Sequence, residues 1–184
     1  MRTAIFGGTF DPIHSAHLEM ARRAADQFQL DRILFIPAGN PPHKHADTSF
    51  EHRYRMVELA CTVDPRFIAS RLEEGAQKSY SIHTIERVKA AGGEVFFIIG
   101  ADAFAEIQTW HCWEEVITAV TFIVVARPGH PIVSPPGARV ERLATVELQV
   151  SSSEIRDALA RGETPADLPE AVAAYIRANR LYGT

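Results

Sequence analysis

The chain has 184 residues, 46% of them hydrophobic and 23% charged, which suits one folded domain with a real core and excludes a disordered polymer. Its formal net charge of −4 offers no basic footprint for nucleic acid, so an anionic ligand has to be met by local cations. Two cysteines, Cys61 and Cys112, are too few for a disulfide framework. No apolar run approaches the roughly 18 residues of a membrane span, and the N-terminus does not read as a signal peptide, so a cytoplasmic protein is expected.

In chain order, residues 4–6 read as a strand that runs into Gly7-Gly8-Thr9-Phe10-Asp11-Pro12-Ile13-His14. A helix is expected over 16–28, because Leu18, Met20, Ala21, Ala24, Ala25 and Phe28 recur at helical spacing. Strand, glycine pair, turn and helix in that order bring backbone N–H groups and the imidazoles of His14 and His17 to the positive end of a helix, where a phosphate would sit. Gly7 and Gly8 leave open the volume that a Cβ would take from a ligand, and Thr9 adds a hydroxyl. The i, i+3 spacing sets both rings on one side of the first turn. The segment is neither a Walker A loop nor GxGxxG, and HxxH without a third ligand is weak evidence for zinc.

A second strand, 33–37, opens onto a polar stretch from 38 to 49 that contains Pro41-Pro42-His43-Lys44. Loops of about 12–15 residues are usually functional or disordered, and Lys44 gives this one a mobile cation. A helix over 50–61, a strand over 67–70 and a helix over 81–91 follow. Ser79-Tyr80-Ser81 lies at the start of that helix, where hydroxyls and N–H groups could hold a carboxylate. The strand 95–99 is apolar throughout 96–99, as a strand buried on both faces is, and it closes on Gly100-Ala101-Asp102, a carboxylate placed for ribose hydroxyls. A helix over roughly 103–116 carries Trp110 and Trp113, which serve either the core or a flat face for an aromatic ring.

After a strand at 122–126, Arg127 is a candidate phosphate clamp. The stretch 127–137 is turn chemistry, and a short strand is expected near 146–150. Ser151-Ser152-Ser153-Glu154 fits a capping box with Ser151 as N-cap. Arg156 then opposes the helix dipole, a conflict that an anion bound there would remove. Pro169 suits the first turn of a last helix ending near Tyr182-Gly183. Strands alternating with helices predict an α/β, doubly wound parallel sheet with helices on both faces and a C-terminal helical subdomain, residues 1–184 forming one domain. Ligands of such sheets bind at the carboxyl ends of the strands, where the three polar segments should converge.

Together these segments resemble the HxGH nucleotidyltransferase superfamily and, within it, the bacterial nicotinate mononucleotide adenylyltransferases. The resemblance spans nearly the whole chain. It rests on the segment from Gly7 to His14, on Pro41-Pro42-His43-Lys44, His52-Arg53 and Ser79-Tyr80-Ser81, and on Gly100-Ala101-Asp102 and Trp110. It continues through Ala126-Arg127-Pro128-Gly129, the segment from Ser151 to Arg156, Leu168-Pro169, Tyr175-Ile176 and Leu181-Tyr182. HxxH alone is weak; this ordered set is specific.

The resemblance implies a Rossmann-like fold and transfer of AMP from ATP to nicotinate mononucleotide, with magnesium carried in by ATP. It also implies roles. Gly7, Gly8, Thr9, Phe10 and Gly100 would line the ATP site, with His14 and His17 on the phosphates and Ser152 at the nucleotide. Lys44 and Arg156 would sit near the leaving pyrophosphate. Ser79, Tyr80, Ser81, Trp110 and Arg127 would define the mononucleotide side, and Asp102 a ribose. Two positions depart from the family pattern: Ala16 stands where Gly is usual, at a site expected near the adenine, and Ser81 where many relatives have Thr. Phosphopantetheine and nicotinamide mononucleotide are the rival acceptors, and a catalytically silent nucleotide-binding regulator is the rival class. No nucleic-acid or membrane partner is expected, and the choice between monomer and homo-oligomer is open.

Overall fold

A computed structural model describes residues 1–40, 46–126, 129, 131–144 and 150–184, the Ala144 side chain excepted. Among the described residues six strands form one parallel sheet: β1 (Arg2–Gly8), β2 (Arg32–Pro37), β3 (Phe67–Ala69), β4 (Glu94–Gly100), β5 (Thr121–Ala126) and β6 (Arg139–Ala144). The α-helices among the described residues are α1 (Ser15–Gln27), α2 (Phe50–Cys61), α3 (Ser81–Ala90), α4 (Ala101–Ala105), α5 (Trp113–Ala119), α6 (Ser152–Ala160) and α7 (Glu170–Ala178).

The side-chain alternation of the central strands divides the core into two layers. Ala4, Phe6, Phe35, Phe96, Ile98 and Ile123 face α1, α2, α6 and α7. Ile5, Ile36, Phe97, Ile99, Phe122 and Val124 face α3, α4 and α5. Helices therefore cover both faces, which is why β4 tolerates no polar residue between its ends. The closing helices α6 and α7 bury Ile155, Leu159, Val172 and Ile176 in the same layer as α1 and α2.

The strand order is β3-β2-β1-β4-β5-β6. The chain winds outward from β1 through β2 to β3, then crosses back to β4 and winds the other way. The segments after β1 and β4 thus diverge and open a crevice between neighbouring strands. This Rossmann-like arrangement brings the Gly7–His17 segment and Gly100–Asp102 to one edge.

Three elements differ from expectation. The helix expected over 103–116 is broken into α4, a 3₁₀ turn at Ile107–Thr109 and α5, with Trp110 extended and Cys112 left-handed at φ 52°. The sixth strand lies at Arg139–Ala144, just beyond the stretch that read as turn; the strand expected near 146–150 falls outside the described residues except for Val150, which has no regular structure. The last helix stops at Ala178, and Leu181–Gly183 forms a separate 3₁₀ turn. Among the described residues no helix is long and apolar enough to cross a membrane.

Candidate active site

The turn between β1 and α1 is shaped by the Phe10 ring. Phe10 has φ 50° and folds back into the core, edge-on to Phe6 at 5.7 Å and to His17 at 5.1 Å. A Cβ on Gly8 would lie 3.0 Å from that ring, so glycine at position 8 answers first to Phe10 rather than to a ligand. At Gly7 the nearest obstacle to a Cβ is Phe97 at 3.9 Å, and at Gly100 there is none within 4 Å. With its ring buried, Phe10 offers a ligand only its backbone.

The backbone donors extend further along the turn than expected. The Ser15 N–H at the start of α1 is taken by the Asp167 carbonyl at 2.8 Å, from the segment that precedes α7. Among the described residues the N–H groups of Thr9, Phe10 and Asp11 donate to no protein acceptor. The bare amides thus run through the turn and include Ala16 in the first turn of α1, which among the described residues has no protein acceptor either.

His14 is the N-cap of α1, and His17 lies at its third position. Their rings are 3.8 Å apart and tilted by 32°. The His14 backbone N–H donates to His17 Nδ1 at 3.2 Å. A ring nitrogen that accepts carries no proton, so the neutral His17 ring holds its proton on Nε2 as a donor. Burial pushes the His14 imidazolium down to about 4, with the Asp167 carboxylate opposing more weakly. His14 is therefore neutral at physiological pH, and among the described residues its buried Nδ1 has no hydrogen-bond partner.

Arg156 reaches the same turn from α6. The Ser151–Glu154 capping box forms as expected, with Ser151 Oγ accepting from the Glu154 N–H and Glu154 accepting from the Ser151 N–H. Ser152 Oγ donates to the Pro12 carbonyl at 3.0 Å, and Arg156 Nη1 donates to the Asp11 carbonyl at 2.8 Å. The anion that Arg156 called for is supplied within the chain, because its Nε pairs with the Asp47 carboxylate at 2.7 Å. Asp47 gave no signal in the sequence; its role depends on a tertiary contact. Behind the turn, Asp11 accepts from the Asp47 N–H and the Tyr182 hydroxyl, and Arg53 donates to the Thr9 carbonyl. His52 Nδ1 and the Tyr175 hydroxyl are 2.9 Å apart, which accounts for a second pair of motif residues.

Of the mononucleotide candidates, Tyr80 and Trp110 pack against the core layer that faces α3, α4 and α5. Ser79 exchanges two hydrogen bonds with Asn40, both at 3.0 Å, joining the segment after β2 to the start of α3. Tyr80 is the N-cap of α3, Ser81 its first residue, and the Tyr80 ring stacks on His111 at 4.4 Å. Trp110 is half-buried, edge-on to Phe97 at 5.9 Å. Asp102 is exposed in the first turn of α4. Ala16 is buried. Lys44 and Arg127 lie outside the described residues.

A family model described as cytidylyltransferase-like matches residues 5–158. A Solibacter usitatus protein named probable nicotinate-nucleotide adenylyltransferase is 55% identical over 187 residues, covering 99% of this chain and 100% of its own. A Thermus thermophilus protein of the same name is 41% identical over 186 residues, with 99% and 100% covered. The solved structure of Plasmodium falciparum nicotinic acid mononucleotide adenylyltransferase complexed with NaAD shares the fold, with a TM-score of 0.82 at 21% identity over 98% of this chain and 97% of that one. The chain therefore belongs to the cytidylyltransferase-like proteins and, within them, to the nicotinate-nucleotide adenylyltransferase family.

Proposed function

We propose that this chain transfers the adenylyl group of ATP to the 5′-phosphate of nicotinate mononucleotide, giving deamido-NAD and pyrophosphate. The observation that carries the reading is the meeting, at the crevice beside β1, of three bare amides, a His17 ring fixed as an Nε2 donor and the Arg156 guanidinium. All three are donors, and all suit a phosphate chain.

The chemistry explains why donors suffice. A phosphate monoester has its second pKa near 6, so the nucleophile is mostly a dianion at pH 7 and needs no general base. One of its oxygens attacks the α-phosphorus of ATP; that bond forms as the bond to the β-phosphate oxygen breaks, and pyrophosphate departs. No proton moves in this step. The obstacle is bringing two anions together while charge builds on the leaving group, which positioning and preorganised donors lower. His17 Nε2 would donate to the reacting phosphate. Arg156, and Lys44 from the loop after β2, would meet the pyrophosphate, which must share the guanidinium with Asp47 or displace that carboxylate. Gly7, Gly8, Thr9, Phe10, Gly100 and Ser152 would border the ATP.

On the acceptor side, the amides at the start of α3 and the hydroxyls of Ser79 and Ser81 suit a carboxylate, Trp110 a pyridine ring, Asp102 a ribose and Arg127 a phosphate. Magnesium would travel with the ATP phosphates, as it does when substrate oxygens supply most of its ligands. Among the described residues no group of three or more His, Cys, Asp or Glu side chains could hold a metal ion.

Pyrophosphate release with ATP and one acceptor at a time tests the proposal. Nicotinate mononucleotide should support it far better than nicotinamide mononucleotide, and phosphopantetheine not at all. Release with phosphopantetheine alone, or with none of the three, would refute the assignment.

A further inference from the structure

Arg53 is among the largest side chains that the fold buries completely, and the reaction just described makes no use of it. It projects from the first turns of α2, directly behind the turn that follows β1. Its Nη1 donates to the Thr9 carbonyl at 2.8 Å and its Nε to the Thr48 carbonyl at 3.1 Å. The Phe50 ring lies 5.7 Å from the guanidinium carbon. Among the described residues no carboxylate comes within ion-pair distance of it. Asp11 offsets its charge from further away, its own oxygens being occupied by the Asp47 N–H and the Tyr182 hydroxyl.

A buried cation spent on two backbone carbonyls is a costly way to hold a fold together. Desolvating the charge offsets much of what those two bonds return, so stability alone is a weak reason for a guanidinium here. The reason for a guanidinium has to lie in what the two carbonyls do.

Thr9 and Phe10 share a planar trans peptide, so the Thr9 carbonyl and the Phe10 N–H point in opposite directions. Drawing the Thr9 oxygen inward to Arg53 turns the Phe10 amide outward. Phe10 also holds φ 50°, a conformation that residues with a Cβ rarely keep unless their surroundings fix it. The buried ring fixes one side of Phe10, and Arg53 fixes the peptide on the other.

We propose that Arg53 is a positioning residue for the nucleotide: it locks the Thr9–Phe10 peptide with its amide facing the triphosphate, and through Thr48 it ties the Asp47 segment to the same frame. The inference rests on the reading that this turn holds a phosphate chain. Lysine cannot replace the fork, because an ammonium lacks the planar geometry that reaches two fixed acceptors at once.

Calorimetric titration with ATP alone, on the parent chain, Arg53→Met and Arg53→Lys, tests it, with melting temperatures and both KM values measured alongside. Arg53→Met should fold, melt below the parent because two carbonyls lose their donor, and bind ATP about tenfold more weakly, the scale of one lost charge-assisted hydrogen bond. Its KM for ATP should rise in parallel while that for nicotinate mononucleotide stays unchanged. Arg53→Lys should lose affinity by a smaller factor of about three to five, on the same scale. Unchanged ATP affinity in both variants would overturn the inference, as would equal increases in the two KM values, which mark general loosening. If Arg53→Met fails to fold, parent-like ATP affinity in Arg53→Lys overturns it alone. A parent chain that binds no ATP would instead sink the nucleotide reading, and this inference with it.

Discussion

His17 is held from three sides. The Phe10 and Phe6 rings meet it edge-on at 5.1 and 6.0 Å, the His14 ring lies 3.8 Å away, and its Nδ1 accepts a backbone N–H. A donor so fixed loses little entropy when it meets charge developing on a phosphate. Replacing His17 with Ala should lower kcat by about 10²–10³, the scale seen when one preorganised donor is removed, with a smaller change in KM. Steady-state kinetics would check this, and unchanged turnover would remove His17 from the reaction. His14 makes a different prediction, on stability. Its folded pKa near 4 lies below the ordinary 6.5, so between those values the unfolded chain binds the extra proton. The contribution is complete above pH 6.5 and is lost as pH falls toward 4, amounting to at most about 3 kcal/mol. Denaturant unfolding at pH 7 and pH 4.5 should show the parent losing about 2–3 kcal/mol more than His14→Gln. Equal losses would mean that His14 is not held neutral.

Among the elements, α6 decides where Arg156 points. Its capping box fixes the first turn, and Ser152 and Arg156 then bond to the carbonyls of Pro12 and Asp11. Ser151→Ala should cost about 1 kcal/mol, the usual value of a lost N-cap, read as a lower urea midpoint with an unchanged m-value. The same box was plain in the sequence, because all its partners lie within four residues. The start and end of α2 and the buried strands β2, β4 and β5 were legible to within a residue or so, since long apolar runs and clear periodicity mark them. β6 was hidden because it lies at the sheet edge: Arg139, Glu141 and Arg142 are exposed and Leu143 alone is fully buried among its described side chains, a charged pattern that reads as loop. The break at 110–112 carries no Gly or Pro. It follows instead from Trp110 packing on Phe97 and His111 stacking on Tyr80, contacts that override helical spacing. The last helix ends early because Arg180 takes the left-handed conformation usually left to glycine.

Across the molecule, the strand order explains how residues far apart in sequence share one crevice. The chain reverses its winding between β1 and β4, and the segments that carry His17, Asp102 and Trp110 leave from that divide. The donors around the turn were readable as residue types; their partners were not. Asp47 on Arg156 and Arg53 on Thr9 are contacts across 109 and 44 positions, which no local pattern announces. A net charge of −4 gives the whole protein no attraction for ATP, so the donors beside β1 have to supply it locally. Those donors fit a direct transfer in which the acceptor's own phosphate is the nucleophile. Exchange of labelled pyrophosphate into ATP examines that claim most directly. Label should enter ATP only when nicotinate mononucleotide or deamido-NAD is present. Exchange without either would reveal an adenylylated side chain and contradict direct transfer, and no exchange with both would contradict adenylyl transfer altogether.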